Sequence, residues 1–256
     1  MLVASWNVNS VTVRVPHLLT WLQEVSPDVL CVQETKIIDE KFPKETFEAL
    51  GYNCEFYGEK TYNGVAIISK LPIENVQKGF IEEVTPPAKR FIEASVGPLR
   101  VLNAYIPNGQ SVGSEKYLYK LRWLESLLTH LRNQHDALQP TILVGDFNIA
   151  PEDRDVYDPA EVGPTIMCSD AERDALCEVR KWGMNDIFRE HNEDAGQFSW
   201  WDYRQGAFRR NMGFRIDHIY GTESAMAHSV RCWIDKEPRR LERPSDHAPV
   251  IAEFDF

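Results

Sequence analysis

Short apolar runs rich in Val and Ile alternate along the chain with stretches whose apolar residues recur at helical spacing. The runs at 2–6, 28–32, 64–69, 99–104, 141–144, 214–220 and 248–254 have strand length, about 4–8 residues. The helices are read from caps and period. Pro16 is expected to open a helix with Leu18, Trp21, Leu22 and Val25 on one face. Pro43 opens another, closed by Gly51. Ser114 caps a helix carrying Tyr117, Leu121, Leu124, Leu128 and Leu131. Ser169 and Glu172 form a Ser-x-x-Glu capping box, and Gly183 ends that helix after Trp182. Many strands with interspersed helices predict an α/β or α+β architecture with substantial sheets. No linker divides the chain, so one domain over 1–256 is expected. One internal echo stands out: a strand followed by Asn7-x-Asn9, and a later strand followed by Asp146-x-Asn148, as two similar packed halves would produce.

Composition narrows the class. An apolar share of 43% excludes disorder, and no apolar stretch approaches the roughly 18 residues of a membrane span. Residues 1–6 carry no basic region ahead of an apolar stretch, so neither a signal peptide nor a redox or targeting arm is expected. Five cysteines without Cys-x-x-Cys or Cys/His spacing read as reduced thiols in a cytosol, with Cys31 in the core, and no structural zinc site is expected. The net charge of −11 argues against a polybasic nucleic-acid coat. It is unevenly spread: 204–243 holds nine Lys/Arg against five acids, and 150–200 five against thirteen. The first stretch is a candidate nucleic-acid face, though charge runs are commonly just solvated.

The chemistry lies where strands end. Asn7 and Asn9 follow the first strand, Glu34 the second, and Asp146 and Asn148 the run at 141–144. Asp217 sits inside an apolar run, and Asp246-His247 immediately precedes the last strand. If these ends converge, several carboxylates, amides and one imidazole share a cleft. Clustered anions repel and are costly to desolvate, so they call for a cation. Oxygen ligands without cysteine suit Mg²⁺, with Mn²⁺ as a substitute, and Mg²⁺ on few protein carboxylates usually works on phosphate oxygens. Metal-assisted phosphoester hydrolysis is the expected reaction class. Asp217 and His247 are expected to pair, since a buried charge needs a partner.

Eight segments then carry a resemblance. They are Ser5-Trp6-Asn7-Val8-Asn9, Val32-Gln33-Glu34-Thr35-Lys36, Tyr62-Asn63-Gly64-Val65-Ala66 and Asn103-Ala104-Tyr105-Ile106-Pro107-Asn108-Gly109. The others are Gly145-Asp146-Phe147-Asn148-Ile149-Ala150-Pro151, Phe198-Ser199-Trp200-Trp201-Asp202-Tyr203-Arg204, Arg215-Ile216-Asp217-His218 and Pro244-Ser245-Asp246-His247-Ala248-Pro249. In this order, over nearly the whole chain, the sequence resembles the exonuclease III family of the endonuclease/exonuclease/phosphatase superfamily, which shares its fold with deoxyribonuclease I.

The resemblance implies a four-layer α/β sandwich, two mixed sheets face to face with helices outside. It implies Glu34 as the main Mg²⁺ ligand, with Asp246, Asn7 and Asn9 nearby, and Asp146 and Asn148 at the reacting centre. Asp146 would position or deprotonate the attacking water, and Asn148 would donate to the phosphate. His247, oriented by Asp217, would stabilise developing charge, and Tyr105 would contact the phosphate or support the leaving side. Trp200, Phe214 and Ile216 match positions lining a pocket for an extrahelical abasic sugar, and Tyr62, Asn63 and Asn108 positions near the DNA backbone, with Asn9 also on the substrate side. The implied partner is double-stranded DNA with blocked or damaged 3′ ends or abasic sites, handled by a cytoplasmic monomer with 3′→5′ exonuclease, 3′-phosphatase or phosphodiesterase, and abasic-site endonuclease activities. Met167, in a loop beside the pocket, is expected to narrow access for an internal abasic site. The alternatives are a relative acting on RNA or a small phosphoester, which the 200–204 motif and the basic stretch disfavour, and a non-catalytic regulator, which the intact acid, amide and imidazole set disfavours.

Overall fold

The computed structural model describes residues 1–81 and 84–256. Twelve strands form two six-stranded sheets. The first holds β1 (Leu2–Asn7), β2 (Val29–Gln33), β3 (Asn53–Tyr57), β4 (Val65–Ser69), β11 (Ser229–Ile234) and β12 (Val250–Phe254), in the order β11-β12-β1-β2-β4-β3. The second holds β5 (Ile73–Lys78), β6 (Phe91–Val96), β7 (Leu99–Tyr105), β8 (Thr141–Asp146), β9 (Asn185–Asp186) and β10 (Asp217–Gly221), in the order β5-β6-β7-β8-β10-β9. The helices are α1 (Val11–Val25), α2 (Lys44–Glu48), α3 (Glu115–Gln134), α4 (Pro159–Val162), α5 (Asp170–Lys181), α6 (Ile187–His191) and α7 (Glu223–Met226).

Side-chain alternation along the strands builds four layers. Val3, Cys31, Val65 and Ile67 of the first sheet meet Ile92, Val101, Val144 and Ile219 of the second in one core. The opposite faces are covered by helices. Ala4, Trp6, Leu30 and Ile68 pack under Leu18, Trp21 and Phe47 of α1 and α2. Leu102 and Leu143 pack under Trp123, Leu127, Leu131 and Leu176 of α3 and α5. Two amides bridge the sheets: Gln33 Nε2 donates to Asn103 Oδ1 at 2.8 Å, and Asn103 Nδ2 to the carbonyls of Val32 and Ala66.

The echo between the two halves is real in the topology. In the first sheet β1 pairs parallel with β2 and antiparallel with β12; in the second β8 pairs parallel with β7 and antiparallel with β10. The next pairings outward are antiparallel in both. Asn7 and Asp146 therefore end equivalent strands. Gly145 is demanded one residue before Asp146. Its φ is +143°, and a Cβ there would fall 1.8 Å from the Ala104 carbonyl oxygen across the parallel pair.

Several expectations need correcting. Pro16 lies inside α1, which begins at Val11 after Ser10, so it is not the opening residue. The run at 214–220 enters the sheet only at Asp217: Phe214 exchanges backbone bonds with Trp200 instead, Phe214 N to Trp200 O at 2.9 Å and Trp200 N to Phe214 O at 3.0 Å. The last strand starts at Val250 rather than 248. The helix after Ser114 buries Lys120, Trp123 and Leu127 more deeply than Leu121. The caps are as expected: the Ser114 side chain accepts from Tyr117 N, and Ser169 and Glu172 form their box. Cys31 is fully buried, and all five cysteines are free thiols. Among the described residues no helix is long and apolar enough to cross a membrane.

Candidate active site at the strand ends

At one edge of the sandwich the ends of β1, β2, β7 and β8 meet the start of β10 and the loop before β12. Asp146 is the hub. Its Oδ2 accepts from Asn7 Nδ2 at 2.8 Å, and its Oδ1 from the backbone N–H of Asn148 at 2.9 Å. The second bond closes an Asx turn that holds Asn148 at φ +52°. Asn148 in turn donates Nδ2 to the Ile106 carbonyl at 3.0 Å and accepts from Asn108 Nδ2 at 3.0 Å.

His247 Nδ1 lies 2.9 and 3.1 Å from the two oxygens of Asp217, and its Nε2 lies 3.8 Å from Asp146 Oδ2. Burial opposes charge on this ring, yet Asp217 and Asp146 overcome it and raise the pKa to about 10. The two carboxylates thus favour the protonated ring. Burial raises the Asp146 pKa, opposed by His247 and the Asn7 amide and reinforced by the Asp217 and Glu34 charges.

Glu34, held at φ +55° just past β2, accepts from Tyr105 O–H at 2.6 Å through Oε1, and its Oε2 lies 3.6 Å from Lys36 Nζ. The Tyr105 hydroxyl is thus spent on orienting Glu34. Burial and then the Glu34 charge hold its pKa well above the ordinary value, so it stays a donor. Asp246 accepts from Asn9 Nδ2 at 2.9 Å and from Trp200 Nε1 at 3.0 Å. Burial works to raise its pKa, but His247 and these donors carry it below the ordinary value. Asn9 also accepts from Lys36 Nζ at 2.6 Å, which links Asp246 to Glu34.

Catalytic, metal and substrate candidates thus converge in one cluster, except for the outermost. Tyr62 is 70% exposed, and Asn63 beside it donates to Glu59. Asn63 and Asn108 line a groove of about 1090 Å³ together with Arg90, Lys116 and Arg122 and the acids Glu59 and Glu115. Trp200 and Phe214, with ring centroids 5.7 Å apart, line a second cavity of about 480 Å³. Ile216 is buried beneath them against Ala150, Val156 and Cys168, with Met167 packed alongside. The basic stretch at 204–243 is only partly a free face. Arg215 is buried between Asp155 and Asp186, Arg239 donates to the Ser245 carbonyl, and Arg204, Arg231 and Arg240 pair with neighbouring acids.

Four supporting residues escaped the sequence reading. Ser199 Oγ donates to Asp217 Oδ2 at 2.7 Å and accepts from the N–H groups of Ile216 and Asp217. Ser245 Oγ donates to the Asn7 carbonyl at 2.7 Å and accepts from His247 N. The Arg90 guanidinium lies 4.4 Å from the centre of the Tyr105 ring. Lys120, fully buried, donates to the carbonyls of Asn148 at 2.7 Å and Asn108 at 3.2 Å and pairs with buried Glu172. A lysine on the apolar face of a helix was the available signal for the last; Ser199 and Ser245 stood inside motifs already singled out.

The donors present fit a hard divalent cation. Glu34, Asp146 and Asp246 with the amide oxygens of Asn7 and Asn148 make an all-oxygen set with no thiolate, while Asp217 and the His247 ring beside Asp146 are taken up with each other.

Two mixed sheets carrying a carboxylate, amide and imidazole cluster on their shared edge define a hydrolase of the nuclease and phosphatase class on a deoxyribonuclease I-like sandwich. Residues 4–247 match the Endonuclease/Exonuclease/phosphatase family, and the chain belongs to it. It is 36% identical to exodeoxyribonuclease III of Haemophilus influenzae over 98% of each chain. The 3′ phosphatase NExo from Neisseria, solved bound to a product DNA hairpin, superposes with a TM-score of 0.96 at 39% identity, covering 100% of both chains. An AP endonuclease from Archaeoglobus fulgidus does so with a TM-score of 0.96 at 37% identity, again over 100% of both.

Proposed function

We propose that the chain, as one domain over 1–256, is a Mg²⁺-dependent DNA repair phosphodiesterase that processes 3′ ends and abasic sites in duplex DNA, working as a cytoplasmic monomer. The observation that carries this reading is the Asp146 hub, which joins the Asn7, Asn148 and Asp217–His247 groups at the edge where Glu34 and Asp246 also lie. Similarity to exodeoxyribonuclease III and to a 3′ phosphatase bound to product DNA supports the substrate class.

Glu34, Asp246 and the Asn7 amide would hold the cation, with Asp146 and Asn148 bordering it. When bound, the cation polarises the phosphoryl oxygens and offsets their charge. Asp146, with its raised proton affinity, takes the proton from the attacking water while the leaving oxygen departs on the opposite side. His247 serves as a donor rather than a base: Asp217 occupies Nδ1 and keeps the ring charged, leaving Nε2–H for a phosphate oxygen. Asn148 Nδ2 and Asn108 Nδ2 each have one N–H beyond their bonds to the Ile106 carbonyl and Asn148 Oδ1, and that second N–H is the donor on the phosphate side.

The groove bounded by Asn63, Asn108, Arg90, Lys116 and Arg122 suits the backbone of the flanking strand. The Trp200–Phe214 cavity, which Glu161, Asp202 and Arg204 also line, offers two aromatic faces to a sugar lacking its base. Met167, held at φ +73° against that wall, favours 3′-end processing over internal abasic sites by narrowing the entrance. The reading is tested on nicked, 3′-phosphorylated and abasic duplexes with Mg²⁺ and with EDTA. Cleavage of at least one that EDTA abolishes is expected; no metal-dependent cleavage of any would overturn it.

A further inference from the structure

A second cluster of metal-ligating side chains lies on the other side of the second sheet, between β6 and the C-terminal end of α3. Glu93 points from the outer face of β6 toward the helix and is 2% exposed. His130 is in the last turns of α3, and His135 is the residue that ends it. Both imidazole Nε2 atoms approach the same oxygen, Glu93 Oε2, at 3.3 Å for His130 and 2.9 Å for His135. The other oxygen, Oε1, is taken by Arg100 at 2.8 Å.

We propose that Glu93, His130 and His135 form a binding site for a divalent transition metal of the zinc class. Two imidazole nitrogens and one carboxylate oxygen are the donors of a three-ligand zinc site, whereas magnesium prefers oxygen alone. The three ligand atoms lie within 4.8 Å of one another. In a tetrahedral site with bonds of about 2.0–2.1 Å, ligand atoms stand about 3.3–3.4 Å apart. The two imidazole–carboxylate distances, 3.3 and 2.9 Å, need little adjustment to admit an ion between them.

The surroundings hold the ligands in place. Phe80 and Phe91 flank the His130 ring at centroid distances of 5.4 and 5.2 Å, and Arg100 fixes the carboxylate plane. A cavity of about 170 Å³ lined by His130, Glu125, Thr129 and Asn133 adjoins the His130 side of the cluster. The sequence reading found no such site because it searched for cysteine spacings; the carboxylate is 37 residues upstream of the nearer histidine.

The site shares no residue with the phosphoester cluster, and its role is to tie the end of α3 to the sheet. The same helix carries Lys120, whose amine holds the Asn108 and Asn148 carbonyls. The site stands whether or not the proposed activity is correct.

The test uses the full chain, stripped with EDTA, returned to millimolar Mg²⁺ and titrated with Co²⁺. Wild type is expected to take up one equivalent with the visible absorption of a low-symmetry nitrogen/oxygen site. Glu34→Gln, altered at the other cluster, is expected to retain it, and His135→Gln to weaken it at least 100-fold. Zn²⁺ at about a hundredfold excess over Kd is expected to raise Tm by roughly 5–10 °C in wild type. On the unmutated protein, the Nε2 resonances of His130 and His135 are expected to shift with Zn²⁺ in Mg²⁺ buffer. Equal Co²⁺ binding by wild type and His135→Gln, loss of the equivalent in Glu34→Gln, or unmoved His130 and His135 resonances would each overturn the proposal.

Discussion

Lys120→Met separates holding the site in place from merely holding the fold together. The Lys120 amine and the Glu172 carboxylate are both fully buried. Methionine fills the stem but leaves a buried carboxylate without its cation, and breaking such a pair costs about 3–5 kcal/mol. Glu172 keeps donors from the N–H groups of Met167 and Ser169 and the Ser169 hydroxyl, which places the loss toward the lower end, about 3 kcal/mol. At about 2–4 °C per kcal/mol for a chain of this size, Tm should fall by roughly 6–12 °C. Adding Glu172→Gln removes the stranded charge and should return about half of that loss. It cannot restore the donor to the Asn148 and Asn108 carbonyls, so the double variant should stay at least tenfold slow in kcat on a 3′-phosphate duplex, with KM little changed. Thermal denaturation and steady-state phosphate release read the two effects separately. A loss below about 1 kcal/mol in Lys120→Met, or a double variant with wild-type kcat, would refute the reasoning.

Ser199→Ala removes the hydroxyl on Asp217 and should lower kcat by about 10–100-fold, with a stability loss of about 1–3 kcal/mol; unchanged kcat would show that Asp217 is oriented without it. Met167→Gly should raise abasic-site cleavage relative to 3′-phosphatase activity, the relief of φ +73° offsetting part of the packing lost against the Ile216 cluster; an unchanged ratio in a two-substrate assay defeats the gating idea. His218, packed between Arg215 and the Ile149 carbonyl, has its pKa lowered to about 4 by burial and then by Arg215, with Asp186 and Asp155 opposing. A depressed histidine leaves full stability above the unfolded value of 6.5 and loses it as pH falls toward 4, because only the unfolded chain takes the proton. Urea denaturation at pH 7 and pH 5 should therefore differ by about 2 kcal/mol from this residue, and His218→Gln should remove that share; an unaltered pH dependence would contradict it.

The strands with continuous apolar runs, β1, β2, β4, β7, β8 and β12, were legible because both their faces are covered. The ones missed are chiefly edges. β3, β5, β9 and β11 border solvent and carry residues such as Glu55, Glu74, Asn185 and Arg231. β6 is internal but turns Glu93 toward two histidines, which breaks its apolar run. Among site residues the strand-end acids and amides were readable because polar groups at the ends of buried strands need partners. Lys120 and Arg90 were not, since their partners are backbone carbonyls and a ring that only the tertiary structure brings near. Within 204–243, Arg204, Arg215, Arg231 and Arg240 are paired with acids, which a count of charges along the chain does not reveal.

The most direct measurement is release of inorganic phosphate from a nicked duplex bearing a 3′-phosphate, in Mg²⁺, by wild type and by Asp146→Asn. Asparagine keeps the size and the hydrogen bond to Asn148 N but cannot take a proton from water. Steady multiple turnover by wild type and a fall of at least 100-fold in kcat for the variant, with duplex binding retained, are predicted. Turnover by Asp146→Asn near the wild-type rate would contradict the account at its centre.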